Sequence, residues 1–151
     1  MAQKGARADE DGLLAALQAL YRDADALFQG ATCEQSSECC RFGITGREPW
    51  VTQAEWRLVE DDVRRQGRKL PAIPDDDTCP FLSPEGRCRV YGARPLGCRT
   101  FFCERATGPG PVPRKALGAL PRRLDALTDV EKGKDAGARP LRSWLREALR
   151  A

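Results

Sequence analysis

The chain has 151 residues, with 25 Lys and Arg against 22 Asp and Glu, a formal net charge of +3 and no histidine. Hydrophobic residues make up 41% and charged residues 31%, enough for one domain with a modest core. Imidazole-based acid–base catalysis and imidazole metal ligation are therefore excluded, and no run approaches the roughly 20 apolar residues that span a bilayer.

From the N-terminus, Leu13, Leu14, Leu17, Leu20, Tyr21, Ala24, Leu27 and Phe28 recur at helical spacing. They predict an amphipathic helix over 11–29, capped by Gly30, behind a flexible segment 1–10. Gln18 interrupts the apolar stretch, so it does not read as a signal peptide, and the expected compartment is a reducing cytoplasm. There, seven cysteines do not point to a disulfide framework.

Residues 41–51 mix turn formers with Phe42, Ile44, Trp50 and Val51, a loop with one short strand. Thr52 and Glu55 form a capping box that opens a helix running to Gly67, with Trp56, Val59 and Val63 on one face. Trp50 stands close to the hydrophobic-staple position. The proline-punctuated KLPAIPDDD follows as a linker; its acids Asp75, Asp76 and Asp77 read as solvated rather than catalytic. Ser83–Gly86 is a tight turn that brings Cys79 and Cys88 together.

Beyond the GPGPVP linker, two helices are expected, at about 114–127 and 140–150, with a flexible linker over 128–139 between them. Leu141, Trp144, Leu145 and Leu149 stripe the last one, which packs on its own domain or docks a protein partner. Residues 104–151 carry 11 basic and 6 acidic residues, too sparse a basic set to suggest nucleic acid. No membrane contact is expected. The fold class expected is mainly α, a small irregular metal-stabilised domain over 11–127 with cysteine-bearing loops between short helices. The C-terminal helix, 140–151, is expected to pack on the same domain.

The chemistry lies in the cysteines. Cys33, Cys39 and Cys40 form one knot; Cys79, Cys88, Cys98 and Cys103 form another. Thiolate is a soft ligand that selects zinc or iron–sulfur clusters over magnesium or calcium. The spacings C-x5-C-C and C-x8-C-x9-C-x4-C lack a C-x2-C knuckle, so count and clustering carry more weight than spacing. Adjacent Cys39 and Cys40 would diverge to opposite faces of an extended chain, and so serve different metals, different irons or leave one spare. Arg87, Arg89, Arg94 and Arg99 interleave with the second knot, where cations stabilise thiolates. Arg94 and Arg99 are the expected outer partners of the site.

The segment Cys79-Pro-Phe-Leu, Cys88-Arg-Val-Tyr and Arg94-Pro95-x-x-Cys98-Arg99 resembles the CxxCxxCC cysteine-cluster family, proteins proposed to chelate zinc or iron. The resemblance covers roughly Cys33 to Cys103. Its first motif falls on Cys33, Ser36, Cys39 and Cys40, so a serine stands where the family has its second cysteine. Either Cys103 supplies the missing thiolate, or the site is incomplete and binds more weakly or leaves an iron or zinc position open to solvent or substrate. Similar segments occur in flagellin lysine methylases, where the resemblance implies an iron–sulfur cluster.

All seven cysteines are thus candidate metal ligands, and the expected cofactor is an iron–sulfur cluster of the [4Fe–4S] kind, with zinc the alternative. Cys79-Pro80 and the lack of histidine favour the cluster. The C-x8-C turn and the frequency of structural zinc held by four thiolates favour zinc. A redox or electron-transfer role goes with the first, a zinc-stabilised interaction module with the second. No acid–base or nucleophile constellation apart from the cysteines argues for an enzyme.

Overall fold

The computed structural model describes residues 2–28, 37–100, 114–128 and 137–151. Its elements, in chain order, are α1 (Ala2–Leu27), α2 (Phe42–Thr45), β1 (Trp50–Val51), α3 (Gln53–Arg65), α4 (Leu96–Arg99), α5 (Arg114–Thr128), β2 (Arg139–Pro140) and α6 (Leu141–Arg150). Single 3₁₀ turns occupy Glu38–Cys40 and Tyr91–Ala93. The chain is mainly helical, as its periodic apolar stripes predict.

Helix α3 is the shared wall of the fold. Its start is fixed by the predicted capping box: Thr52 Oγ1 accepts from Glu55 N, and Glu55 Oε2 accepts from Thr52 N at 2.9 Å. The helix ends at Gly67, whose φ of +68° suits glycine. The residue that staples its entry is Val51 rather than Trp50. Val51 is fully buried in one cluster with Trp56, whereas Trp50 is 64% exposed. The alternation of a two-residue strand sends Trp50 outward and Val51 inward.

One face of α3 (Trp56, Val59, Val63) joins Phe42, Phe81, Val90 and the α6 residues Leu141, Trp144 and Leu145 in a first core. The other (Ala54, Leu58) joins Leu17, Leu20, Tyr21 and Ala24 of α1, Leu96 of α4 and Leu120 of α5 in a second. The stripe of α6 is therefore turned into the molecule's own core, with Leu149 left 47% exposed.

Helix α1 begins at Ala2, nine residues before the predicted start, and continues to Leu27. Its early turns carry few apolar residues, so periodicity alone gave no sign of them. The cap predicted at Gly30, the GPGPVP linker and residues 129–136 lie outside the described residues.

Helix α6 is anchored at its start. Strand β1 pairs antiparallel with β2, Trp50 opposite Pro140, and Leu141 N donates to Pro49 O. Arg142 makes a forked pair with Glu48 at 2.9–3.0 Å, and its other arm reaches Asp77 at 2.9 Å. Trp144 Nε1 donates to Val51 O at 2.6 Å, satisfying a buried indole.

Candidate metal centre

Four short segments deliver the described cysteines. Ser37, in the left-handed region at φ +59°, starts the turn Glu38–Cys40, closed by Cys40 N donating to Ser37 O at 3.0 Å. This turn sets Cys39 and Cys40 close enough for each thiol to shift the other's ionisation. The divergence expected of adjacent cysteines holds for extended chain, and here the backbone is coiled instead.

Arg41 stands opposite Thr78 in an antiparallel bridge, and Cys79 N donates to Cys40 O at 2.6 Å. Cys79 is thereby held close enough to raise the Cys40 pKa. The predicted turn then reverses the chain: Gly86 N donates to Ser83 O at 2.9 Å, and Leu82 pairs with Cys88. Ser37 Oγ donates to Gly86 O at 3.0 Å, tying this hairpin to the first knot.

Gly86 has φ +79°, and a Cβ there would stand 3.1 Å from Ser37 Oγ. Gly86→Ala is therefore expected to lower stability by about 1–2 kcal/mol and to loosen the hairpin between Cys79 and Cys88. Urea denaturation measures the first effect. Unchanged stability would mean that the tie carries no strain.

Cys98 arrives on α4, which follows the Tyr91–Ala93 turn and Pro95. The first N–H of that helix, on Leu96, donates to Glu55 Oε1 at 2.8 Å. Tyr21 OH donates to the same oxygen at 3.0 Å, and Thr52 N and Oγ1 donate to Oε2. Glu55 is fully buried, and burial raises its carboxyl pKa against the opposing pull of these donors. One side chain thus caps α3 and holds α4 in place. The sequence showed only the cap, although Glu55 falls within the buried stripe of its helix, between Ala54 and Trp56.

The two arginines expected beside the thiols differ. The Arg94 guanidinium draws the Cys39, Cys88 and Cys98 thiols down in pKa while resting on the Tyr91 ring, 3.8 Å from its centroid. Arg99 is buried and committed elsewhere. It donates to Arg94 O at 2.7 Å, to Asp25 Oδ2 at 2.6 Å and to Gly92 O, and lies 4.1 Å from the Tyr21 ring centroid. It ties α1 to the loop before α4, a partnership with Asp25 that no local pattern announces.

Arg94 is outweighed. Cys39 is pushed up first by its hydrogen bond with Cys40 and then by burial. Cys40 gains from the Cys39 contact, which lowers it, but the Cys79 contact and burial push it up to about 12. Burial pushes Cys98 up, with Cys88, Cys40 and Cys39 adding to the rise. Burial likewise raises Cys88. Thiols crowded this way oppose one another's ionisation, and a bound cation removes that opposition. Cys88 also lines an open cleft of about 420 Å³ with Gln66, Arg68, Arg87 and Arg89.

Among the described residues, no three cysteine, aspartate or glutamate side chains already surround an ion-sized point. The donor chemistry nevertheless fits a thiophilic metal: five thiols are free, and no imidazole competes. Cys33, Ser36 and Cys103 lie outside the described residues, so the compensation of Ser36 by Cys103 does too.

Residues 32–114, more than half of the chain and all seven cysteines, match the family model named CxxCxxCC, described as a "putative zinc- or iron-chelating domain". The chain belongs to the CxxCxxCC family. No curated protein and no solved structure matches it. In this CxxCxxCC chain the matched segment contains α2, α3 and α4, while α1, nearly all of α5, and α6 supply packing around it. No helix among the described residues is long and apolar enough to cross a membrane.

Proposed function

We propose that this chain holds an iron–sulfur cluster ligated by thiolates and serves in electron transfer. The observation that carries the reading is the convergence of the four segments that bear Cys39, Cys40, Cys79, Cys88 and Cys98, with Cys79 N bonded to Cys40 O and Leu82 bridged to Cys88. Five thiols exceed the four that one tetrahedral zinc takes, before Cys33 and Cys103 are counted. A cluster would supply one-electron chemistry, and its ligands are shared among several irons. The chain's own part is to supply thiolates, to place the Arg94 cation beside them and to hold Cys98 through Glu55. Cys39, exposed at the surface, puts one edge of the group within reach of a redox partner.

A second reading, a zinc-stabilised interaction module, rests on the turn between Cys79 and Cys88. Gly86 N donates to Ser83 O and Leu82 pairs with Cys88, so the chain reverses between the two cysteines as it does in a thiolate zinc knuckle.

Anaerobic purification, an absorbance spectrum and elemental analysis of one sample decide between them. A brown protein with a broad band, iron and acid-labile sulfide is the expected result. Colourless protein with stoichiometric zinc would overturn the cluster and leave the second reading.

A further inference from the structure

Cys40 and Cys79 are related by more than proximity. Arg41 is paired with Thr78 in an antiparallel bridge, so Cys40 and Cys79 are the next directly opposed residues, joined by the N–H···O bond of 2.6 Å. Opposed residues of antiparallel chains have Cα atoms about 4.5–5.5 Å apart, inside the about 4.4–6.8 Å over which a disulfide closes without moving the backbone. Opposed across the bridge, the two residues project their side chains to the same side of it.

We propose that Cys40 and Cys79 close into a disulfide when the centre is empty. The same two sulfurs then act as ligands in the loaded protein and as a cystine in the unloaded one, a statement whose first half rests on the metal-binding reading. The other pairings are poorer. A Cys39–Cys40 link between adjacent residues closes a small strained ring. Cys88 stands opposite Leu82 and Cys98 lies on α4, so neither is set across a backbone bridge from Cys40.

The oxidant is a small disulfide such as oxidised glutathione. Half-buried Cys40 attacks one of its sulfurs, breaking the S–S bond and releasing one glutathione thiolate. Buried Cys79 then attacks the Cys40 sulfur of the mixed disulfide and expels the second. Two electrons pass from the protein to glutathione, and the two protons leaving the protein thiols reside on the two glutathiones. The closed loop ties α2, β1 and α3 together, holding the fold while withdrawing two ligands. Reloading then requires a reductant.

The test uses the full chain, stripped of metal under reductant and exchanged into oxidised glutathione. Digestion without reduction and tandem mass spectrometry then map the links. The expected product joins Cys40 to Cys79, persists in Cys39→Ser and disappears in Cys79→Ser. Far-ultraviolet circular dichroism checks that each variant keeps its helices. In urea the selectivity is expected to vanish, because the bridge that opposes the two residues is gone.

Linkage mainly through Cys39, Cys88 or Cys98, stable glutathione adducts without a crosslink, or the same mixture with and without urea would each overturn the disulfide. A separate arm adds zinc before the oxidant, with bound zinc measured by elemental analysis. Crosslinking slowed tenfold or more supports ligation by these sulfurs, whereas an unchanged rate with zinc bound overturns that half and leaves the disulfide standing.

Discussion

Lowering the pH from 7 to 6 is expected to weaken zinc or ferrous-ion binding by roughly a thousandfold to ten-thousandfold. The sign follows from the thiols. Burial and mutual contact raise Cys39, Cys40, Cys88 and Cys98 above the ordinary thiol range, with Cys40 at about 12. All four are therefore protonated at both pH values in the empty protein. Each must lose its proton to ligate, and each displaced proton contributes a factor of about ten per pH unit. Three or four displaced protons give the stated range. Competition with a chromophoric chelator of known proton affinity, repeated across pH 6 to 8, measures the slope. A slope near zero would mean that the metal is held by something other than these thiols.

Glu55→Ala is expected to cost about 3–5 kcal/mol of stability, a large share of the roughly 5–15 kcal/mol a domain possesses. The substitution removes the capping box and strands three buried partners at once: Tyr21 OH, Thr52 N and Leu96 N. A lost cap costs about 1 kcal/mol and each buried donor left without an acceptor about 1–3 kcal/mol, partly offset because a buried carboxylate no longer has to be desolvated. Because Leu96 opens the helix that carries Cys98, metal affinity should fall further than the cap alone explains. Glu55→Gln keeps an acceptor for Leu96 and Tyr21 but turns an amide N–H toward Thr52 N, so an intermediate loss is expected. Guanidinium denaturation of the three proteins gives the ranking. Equal stability of Glu55→Ala and the parent would show that the four bonds add nothing net.

These two residue groups also show what the sequence could and could not convey. Thr52 with Glu55, the Ser83–Gly86 turn and the helices ending the chain were legible because each depends on neighbours a few residues apart. The cysteine knots were legible as chemistry, since thiols without histidine narrow the ligands whatever the fold. Hidden were the contacts made across long separations: Leu96 with Glu55, Arg99 with Asp25, Arg142 with Glu48. Each involves a charged side chain whose partner is chosen by packing. The Cys39–Cys40 turn was hidden for another reason, because its geometry rests on one left-handed residue, Ser37, that carries no strong signal.

The position of α3 has a kinetic meaning as well. Both cores are built on the same thirteen residues, one on each face. The two halves are expected to open together, since a thirteen-residue helix stripped of one packed face is marginal by itself. Amide protons of α1 and of α6, at the two ends of the chain, should therefore exchange with solvent through one shared opening event rather than in separate steps. A metal bound near Cys98 would slow that exchange throughout the molecule.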